Sequence, residues 1–184
     1  MGVHPLTARA VFLDRDGVIN RARLRGGRPY PPTDRSDLEI LPGVPEALAR
    51  LRAAGFRLIV VTNQPDVARG AQTREAVEAV HVALQASLPL DEFRVCYHDD
   101  VDGCDCRKPA PGLLLTAGRD ARLNLAASFM VGDRWRDIEA GRRAGCTTVF
   151  IDYNYAERRP PQPDTCVQSL AEAADWILAH PLTS

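Results

Sequence analysis

Short continuous apolar runs alternate along this chain with longer segments in which apolar residues recur every three or four positions. The runs cover residues 10–13, 56–61, 93–97, 128–131 and 147–151. Largely apolar runs of this length are typical of strands that are buried on both faces of a parallel sheet. The sequence therefore predicts an α/β fold with a three-layer, Rossmann-like arrangement, in which helices cover both faces of a mostly parallel sheet.

The segments between the runs carry signals for the starts and ends of helices. Pro45 is suited to a first helical turn, and Gly55 can take the left-handed conformation that ends the same helix. Thr73 can cap a second helix, Gly145 can end a later one, and Ser169 begins a capping box for the last. These signals predict a helix between each pair of neighbouring runs.

Length and composition favour one globular domain over residues 1–184. The chain has 45% hydrophobic and 26% charged residues and a net charge of −1. No apolar run approaches the roughly 18 residues that a membrane span needs, and the N-terminus lacks a signal-peptide pattern. We expect a cytoplasmic monomer that has no membrane partner. Near-neutral charge also gives no reason to expect a nucleic-acid partner.

Residues 18–42 interrupt the alternation. This segment holds Arg21, Arg23, Arg25 and Arg28 around Gly26-Gly27, without clear periodicity. Long irregular segments in compact domains are uncommon and are often functional. We expect an extended flap here.

Acidic side chains follow two of the predicted strands directly, at the sheet edge where parallel α/β folds bind ligands. Asp14 and Asp16 stand two apart in Asp-Arg-Asp-Gly, so in extended geometry they point to the same side, and Asp133 follows a neighbouring strand. An all-oxygen site with phosphate suits Mg²⁺. A carboxylate can also attack phosphorus while a second transfers the proton, which makes Asp14 the candidate nucleophile and Asp16 the acid/base. Alone, this tetrapeptide is equally compatible with a turn.

Phosphoryl transfer also needs hydrogen-bond donors and positive charge around the phosphate oxygens. Thr62, at another strand end, offers a hydroxyl, and Lys108 offers the charge. Together with Asp14 and Asp133 they make a phosphate-ester substrate the natural hypothesis.

Four metal-ligand residues lie within eleven positions of a predicted zinc loop, residues 96–109. They are Cys96, His98, Cys104 and Cys106. Four such ligands close a tetrahedral zinc site, so the zinc is expected to brace the loop and not to catalyse. The remaining histidines, His4, His81 and His180, are expected at the surface.

With these residues assembled, the sequence resembles the haloacid dehalogenase superfamily. Its phosphatases combine a DxD strand end, a Thr or Ser, a Lys and a closing acidic motif, matched here in order by Asp14 and Asp16, by Thr62, by Lys108 and by Asp133 with Asp137. Within the superfamily the chain is similar to the group that contains heptose bisphosphate phosphatases and histidinol-phosphate phosphatases. Segments 14–20, 61–64, 68–70 and 106–109 and the zinc loop carry this similarity.

The resemblance implies roles for individual residues. It implies that Asp14, the Asp16 backbone carbonyl and Asp133 hold Mg²⁺. It also implies that Asp137 does not bind the ion directly but contacts the residues that do. The same resemblance implies that Thr62 and Lys108 bind the transferring phosphate and that Asn63 and Arg107 contact the substrate. It also implies a core without a large cap domain.

The substrate signals conflict. Residues 67–70 (Val-Ala-Arg-Gly) resemble the heptose enzymes, whereas the five residues between His98 and Cys104 form a short loop more like that of the histidinol-phosphate enzymes. A bisphosphate needs extra cations, which Arg107, Arg69 or a flap arginine can supply. We favour D-glycero-D-manno-heptose 1,7-bisphosphate, losing its 7-phosphate. The alternatives are histidinol phosphate, a nucleic-acid 3′-phosphate end, and a catalytically silent zinc-braced binding module.

Overall fold

The computed structural model describes residues 8–180, which form eight strands and five main helices. The strands are β1 (Ala10–Leu13), β2 (Arg23–Arg25), β3 (Arg28–Tyr30), β4 (Arg57–Asn63), β5 (Glu92–Cys96), β6 (Phe129–Gly132), β7 (Thr147–Ile151) and β8 (Thr165–Val167). The helices are α1 (Val44–Ala53), α2 (Arg74–Ser87), α3 (Gly112–Asp120), α4 (Trp135–Ala144) and α5 (Leu170–Ala179). Within residues 8–180, none of the helices has the length and apolar character needed to cross a membrane.

Six strands form one parallel sheet in the order β5-β4-β1-β6-β7-β8. The predicted parallel α/β architecture is confirmed, and all five predicted strands are present with ends within two residues of the apolar runs. β8 was not predicted, because three residues after a proline-rich segment give too short a pattern. Since β1 lies between β4 and β6, the residues that follow these three strands meet at one edge of the sheet.

The two faces of the sheet bury separate hydrophobic clusters. Val11 and Leu13 of β1 pack into the cluster that contains residues of α1, α2 and α5. Ala10 and Phe12 belong to the opposite cluster, with residues of α3 and α4. Successive side chains of a strand point to opposite faces, so an all-apolar β1 requires a cover on both sides.

Helix caps form where the sequence predicted them. Thr73 Oγ1 accepts a hydrogen bond from the backbone N–H of Ala76 (3.2 Å), and Ser169 Oγ accepts one from that of Glu172 (3.2 Å). Gly145 ends α4 in the left-handed region at φ 83°. These local contacts define the start of α2, the start of α5 and the end of α4.

The flap is more regular than expected, because its centre is the antiparallel hairpin β2–β3. Gly26 and Gly27 form the turn with φ of 57° and 74°. A two-residue hairpin turn with positive φ at both positions matches the right-handed twist of the strands, and glycine adopts it without strain. The flap is closed at its base, where the backbone N–H of Arg21 donates to Glu39 O and that of Leu41 donates to Ile19 O.

We predict that Phe129→Ala lowers the free energy of unfolding by about 3–5 kcal/mol. Phe129 is fully buried in β6 and contacts the rings of Phe56 and Trp176 edge-on. Urea denaturation measures the loss. Val82→Ala is the control, because Val82 is 66% exposed and its removal should change stability by no more than about 0.5 kcal/mol. Equal stabilities of the two variants would contradict the assignment of Phe129 to the core.

Candidate active site

A cleft of about 300 Å³ opens at the carboxyl ends of β1 and β4 and is bordered by the flap and the zinc loop. Charged side chains of both signs line it. The cations are Arg28, Arg69, Arg107, Lys108, Arg134 and Arg136, and the acids are Asp14, Asp16, Asp66, Asp100 and Asp137. The predicted site residues at the strand ends are therefore brought together.

Lys108 lies at the centre of the site and is almost fully buried. Its Nζ donates to Asp14 Oδ1 (2.8 Å) and to the backbone carbonyl of Val61 (2.7 Å), and it lies 2.6 Å from Asp137 Oδ1. One ammonium group thus bridges the carboxylate that follows β1 and a carboxylate in the first turn of α4. The backbone N–H of Arg134 holds the other oxygen of Asp137 (3.0 Å).

Asp133 adds a third buried carboxylate. Asp14, Asp133 and Asp137 each place an oxygen within 4.8 Å of the others. Asp133 Oδ2 accepts a hydrogen bond from the Tyr155 hydroxyl (2.8 Å), whereas its Oδ1 is buried without a partner among the described residues. The ammonium group of Lys108 contacts two of the three carboxylates, so the cluster carries an excess of negative charge.

Burial and this excess charge raise the pKa values of Asp14 and Asp133. Burial, followed by repulsion from Asp137 and Asp16, raises the pKa of Asp14 to about 6, although Lys108 opposes the shift. Burial and the nearby charges of Asp14 and Asp137 raise the pKa of Asp133 well above its usual range. Burial disfavours the positive charge of Lys108. The attraction of Asp137 and Asp14 outweighs this effect of burial and raises the pKa of the ammonium group. A divalent cation would offset the excess charge.

The donor set fits Mg²⁺. The carboxylate oxygens are hard ligands, and the unpartnered Oδ1 of Asp133 needs a positively charged or hydrogen-bonding neighbour. Gly17 lets the loop after β1 approach this carboxylate closely: its φ is 90°, and a Cβ built there would lie 1.9 Å from Asp133 Oδ2. A larger residue at position 17 would displace Asp133.

Asp16 faces a different set of partners from Asp14. Its carboxylate accepts hydrogen bonds from Arg15 Nε (3.2 Å) and Arg15 Nη2 (3.0 Å), from Asn20 Nδ2 (2.9 Å) and from Gln64 Nε2 (3.0 Å). Arg15 is fully buried, while Asp16 remains partly exposed and lines the cleft. The two carboxylates of the Asp-Arg-Asp motif are thus each matched with their own cation.

His81 is buried, so its expected surface position was wrong. It lies on the inner face of α2, where its Nε2 is 2.9 Å from Arg15 Nη1 and its ring stacks on Phe93. Burial and the neighbouring charge of Arg15 lower the pKa of His81 to about 4, so near neutral pH its Nε2 is an acceptor for Arg15. His180 is exposed as expected, and His4 lies outside the described residues.

Thr62 and Asn63 end β4 at the edge of the cleft. Thr62 is buried, and its hydroxyl oxygen accepts from Gln64 Nε2 (3.0 Å). The Asn63 side chain pairs with the backbone of Lys108 in both directions, accepting from its N–H (3.0 Å) and donating to its carbonyl (3.0 Å). Arg107 lines the same cleft with its Nε bound to Asp100 (2.8 Å). Asn63 therefore positions Lys108 as well as facing the cleft.

The predicted zinc ligands form one compact cluster. Cys96 Sγ lies 3.7 Å from Cys104 Sγ and 3.1 Å from Cys106 Sγ, and His98 Nδ1 lies 3.2 Å from Cys106 Sγ. With metal–ligand bonds of about 2.0–2.3 Å, a tetrahedral zinc needs ligand separations close to these values. The four residues fit a closed structural zinc site at the start of the loop that ends in Arg107 and Lys108.

Sequence reasoning missed Tyr155 and the buried roles of Arg15 and Gln64. Arg15 and Gln64 lie in the segments 14–17 and 62–64, where chemical roles were assigned to other residues. The position of Arg15 between two aspartates could have suggested that it forms an ion pair with one of them. Tyr155 lies in the loop after β7, with no motif around it. Only the folded chain brings it to Asp133.

We predict that Cys104→Ser lowers the zinc content from about one ion per chain to a small fraction of that and lowers the thermal stability, because ligand loss uncouples metal binding from the folding of the loop. Elemental analysis and a melting curve measure both effects. Cys166→Ser is the matched control, since Cys166 is an exposed thiol outside the cluster. Unchanged zinc content in Cys104→Ser would contradict the assignment.

Comparison with protein families and curated proteins gives a consistent result. A family model described as HAD-hydrolase-like matches residues 105–173. D-glycero-beta-D-manno-heptose-1,7-bisphosphate 7-phosphatase of Helicobacter pylori strain J99 is 34% identical over 177 residues, which cover 93% of this chain and 98% of that protein. The enzyme of the same name from Escherichia coli K12 is 35% identical over 181 residues, covering 92% and 87% of the two chains.

Solved structures show the same similarity. D,D-heptose 1,7-bisphosphate phosphatase from B. bronchiseptica, determined with magnesium and phosphate, superposes with a TM-score of 0.80 at 30% identity, covering 93% of this chain and 98% of that one. The enzyme of that name from Burkholderia thailandensis has a TM-score of 0.64 at 26% identity, with 94% and 99% coverage.

Proposed function

The chain belongs to the haloacid dehalogenase (HAD)-like phosphatase family that includes the heptose 1,7-bisphosphate 7-phosphatases, and we propose that it removes the 7-phosphate of D-glycero-D-manno-heptose 1,7-bisphosphate. The carrying observation is the buried cluster in which Lys108 bridges Asp14 and Asp137 beside the unpartnered oxygen of Asp133. Similarity over nearly the full length of named heptose bisphosphate phosphatases supports this substrate above the alternatives. Family membership also argues against a silent binding module.

In the proposed reaction, a carboxylate oxygen of Asp14 attacks phosphorus, and the bond from phosphorus to the sugar oxygen breaks. Asp16 gives a proton to the departing oxygen. Water then attacks the phosphorus of the aspartyl phosphate, Asp16 takes its proton, and Asp14 is released with inorganic phosphate. The ion pair of Asp14 with Lys108 favours the ionised carboxylate that this role requires.

Asp14, the backbone carbonyl of Asp16 and Asp133 would hold the Mg²⁺ ion. When bound, the ion supplies the positive charge that lets an anionic phosphate approach anionic Asp14. Asp137 Oδ1 lies 2.6 Å from the Lys108 ammonium, which fixes the lysine beside Asp14. Thr62 and Lys108 bind the transferring phosphate, and Asn63 and Arg107 contact the rest of the substrate.

The remaining charges of the cleft favour a second phosphate group. Four of its arginines are paired with carboxylates: Arg69 with Asp99, Arg107 and Arg136 with Asp100, and Arg134 with Glu157. Arg28, on the flap hairpin, lines the cleft and has no ion pair within residues 8–180. A sugar that carries a second phosphate would supply the missing anion, whereas histidinol phosphate would bring a further cation.

We predict that Asp14→Asn lowers kcat at least about a thousandfold, because the amide cannot act as the nucleophile. Phosphate release from the heptose bisphosphate measures the rate, with both anomers, histidinol phosphate and other sugar phosphates assayed alongside. Retained sheet structure by circular dichroism is the control. Turnover close to that of the unmodified enzyme would overturn the mechanism, and a preference of less than tenfold for the bisphosphate would overturn the substrate.

We predict that Arg28→Ala raises KM for the heptose bisphosphate about twofold to fivefold, which lies within the range expected for one exposed charge pair. KM for a sugar monophosphate should stay the same, because that substrate lacks the second phosphate. Arg25→Ala is the matched control: it removes the same charge from the same hairpin, at a residue that does not line the cleft. Equal increases for both substrates, or for both variants, would contradict the role of Arg28.

A further inference from the structure

Tyr155 contacts the site from a loop that carries no catalytic motif. The loop runs between β7 and β8, and the Tyr155 hydroxyl donates a 2.8 Å hydrogen bond to Asp133 Oδ2. Asp133 is 1% exposed, so this bond is shielded from water. A shielded bond of this length restricts how the carboxylate can rotate.

The hydrogen bond leaves the two oxygens of Asp133 in different states. Oδ2 has Tyr155 as its partner and also lies against the backbone of Gly17. Oδ1 is buried and has no hydrogen-bond partner among the described residues. Rotation of the carboxylate would break the Tyr155 bond, so the contact keeps Oδ1 as the oxygen that is available to a cation.

Two neighbouring contacts hold Tyr155 in place. Glu157 accepts hydrogen bonds from Arg134 Nε (2.8 Å) and Arg134 Nη2 (2.7 Å). Arg134 is the residue that directly follows Asp133 in the chain. The backbone N–H of Ala156 donates to Gly27 O (2.9 Å) in the turn of the flap hairpin. The segment that carries Tyr155 is therefore fixed both to the start of α4 and to the flap.

We propose that Tyr155 is a positioning residue, whose hydroxyl holds Asp133 in the orientation that presents Oδ1 to the divalent cation. This inference rests on the proposed magnesium-dependent function. Hydrogen-bond partners of ligating carboxylates fix ligand geometry, and their loss typically weakens metal binding by about 10–100-fold. Tyr155 acts through Asp133 and does not itself contact the substrate.

The test compares Tyr155→Phe with Tyr153→Phe. Both changes remove one hydroxyl and keep the ring, and the two rings lie 5.5 Å apart, but only Tyr155 bonds to Asp133. Mn²⁺ serves as the probe, and the electron paramagnetic resonance signal of free Mn²⁺ gives its Kd for the substrate-free protein dialysed against magnesium-free buffer. We expect the Kd of Tyr155→Phe to rise about tenfold and that of Tyr153→Phe to change less than twofold.

Further measurements separate a positioning role from a structural one. Because the metal ligands remain, saturating Mg²⁺ should restore kcat of Tyr155→Phe to within about twofold of the unmodified enzyme. A purely structural role would leave kcat low at every Mg²⁺ concentration. An unchanged Kd for Tyr155→Phe would overturn the inference and leave the phosphatase proposal intact. Absence of Mn²⁺ binding by the unmodified protein would overturn the magnesium site itself.

Discussion

The buried ammonium group of Lys108 is the interaction on which the rest of the site depends. Removing a charge from water costs several kcal/mol, so Lys108 is stable in the interior only because Asp14 and Asp137 contact it. The same low-dielectric surroundings make the third carboxylate, Asp133, unfavourable without a further cation. The fold therefore builds a site whose own charges are incomplete, and a divalent ion completes it.

The position of Lys108 depends on two rigid elements. Asn63, at the end of β4, pairs with its backbone in both directions, and the sheet fixes β4 against β1 and hence against Asp14. On the other side, the four-ligand cluster between Cys96 and Cys106 anchors the loop two residues before Lys108. A long, flexible side chain loses much rotamer freedom on burial, and fixing both ends of its segment lowers the remaining cost of ordering. This explains why a structural metal lies so near a catalytic centre.

Features that depend on residues close together in the sequence could be predicted. Features that depend on contacts between residues far apart in the sequence could not. The apolar runs gave the five longer strands, and the polar residues after them gave Asp14, Thr62 and Asp133, because parallel strands bring their carboxyl ends together. His81 was misjudged although its spacing from Val77 and Leu84 puts it on the apolar stripe of α2. Its partner Arg15 is distant in the sequence, so nothing nearby explained a buried histidine. Tyr155 could not be found, since its role depends on a contact across 22 positions of the chain.

The hairpin in the flap shows a different limit. Gly26-Gly27 lay within the predicted flap without indicating a hairpin. β2 and β3 have three residues each and four of the six are exposed, so no apolar alternation marked them as strands. The hairpin turn sets the pairing of the two strands. The backbone N–H of Ala156 holds this turn through its hydrogen bond to Gly27 O. Short exposed strands gain little from burial and depend on such contacts, which leave no periodic pattern in the sequence.

The surroundings of Asp14 and Asp16 explain how one short motif can supply two chemical roles. The two residues are separated only by Arg15, yet Asp14 is held by Lys108 in the buried carboxylate cluster, whereas Asp16 is held by Arg15, Asn20 and Gln64 at the wall of the cleft. The imidazole of His81 is neutral near neutral pH, so its Nε2 accepts a hydrogen bond from Arg15 Nη1. This contact helps Arg15 to occupy the interior. Asp14 therefore lies among the buried carboxylates, whereas Asp16 is partly exposed at the cleft, and this difference suits the proposed roles of nucleophile and acid/base.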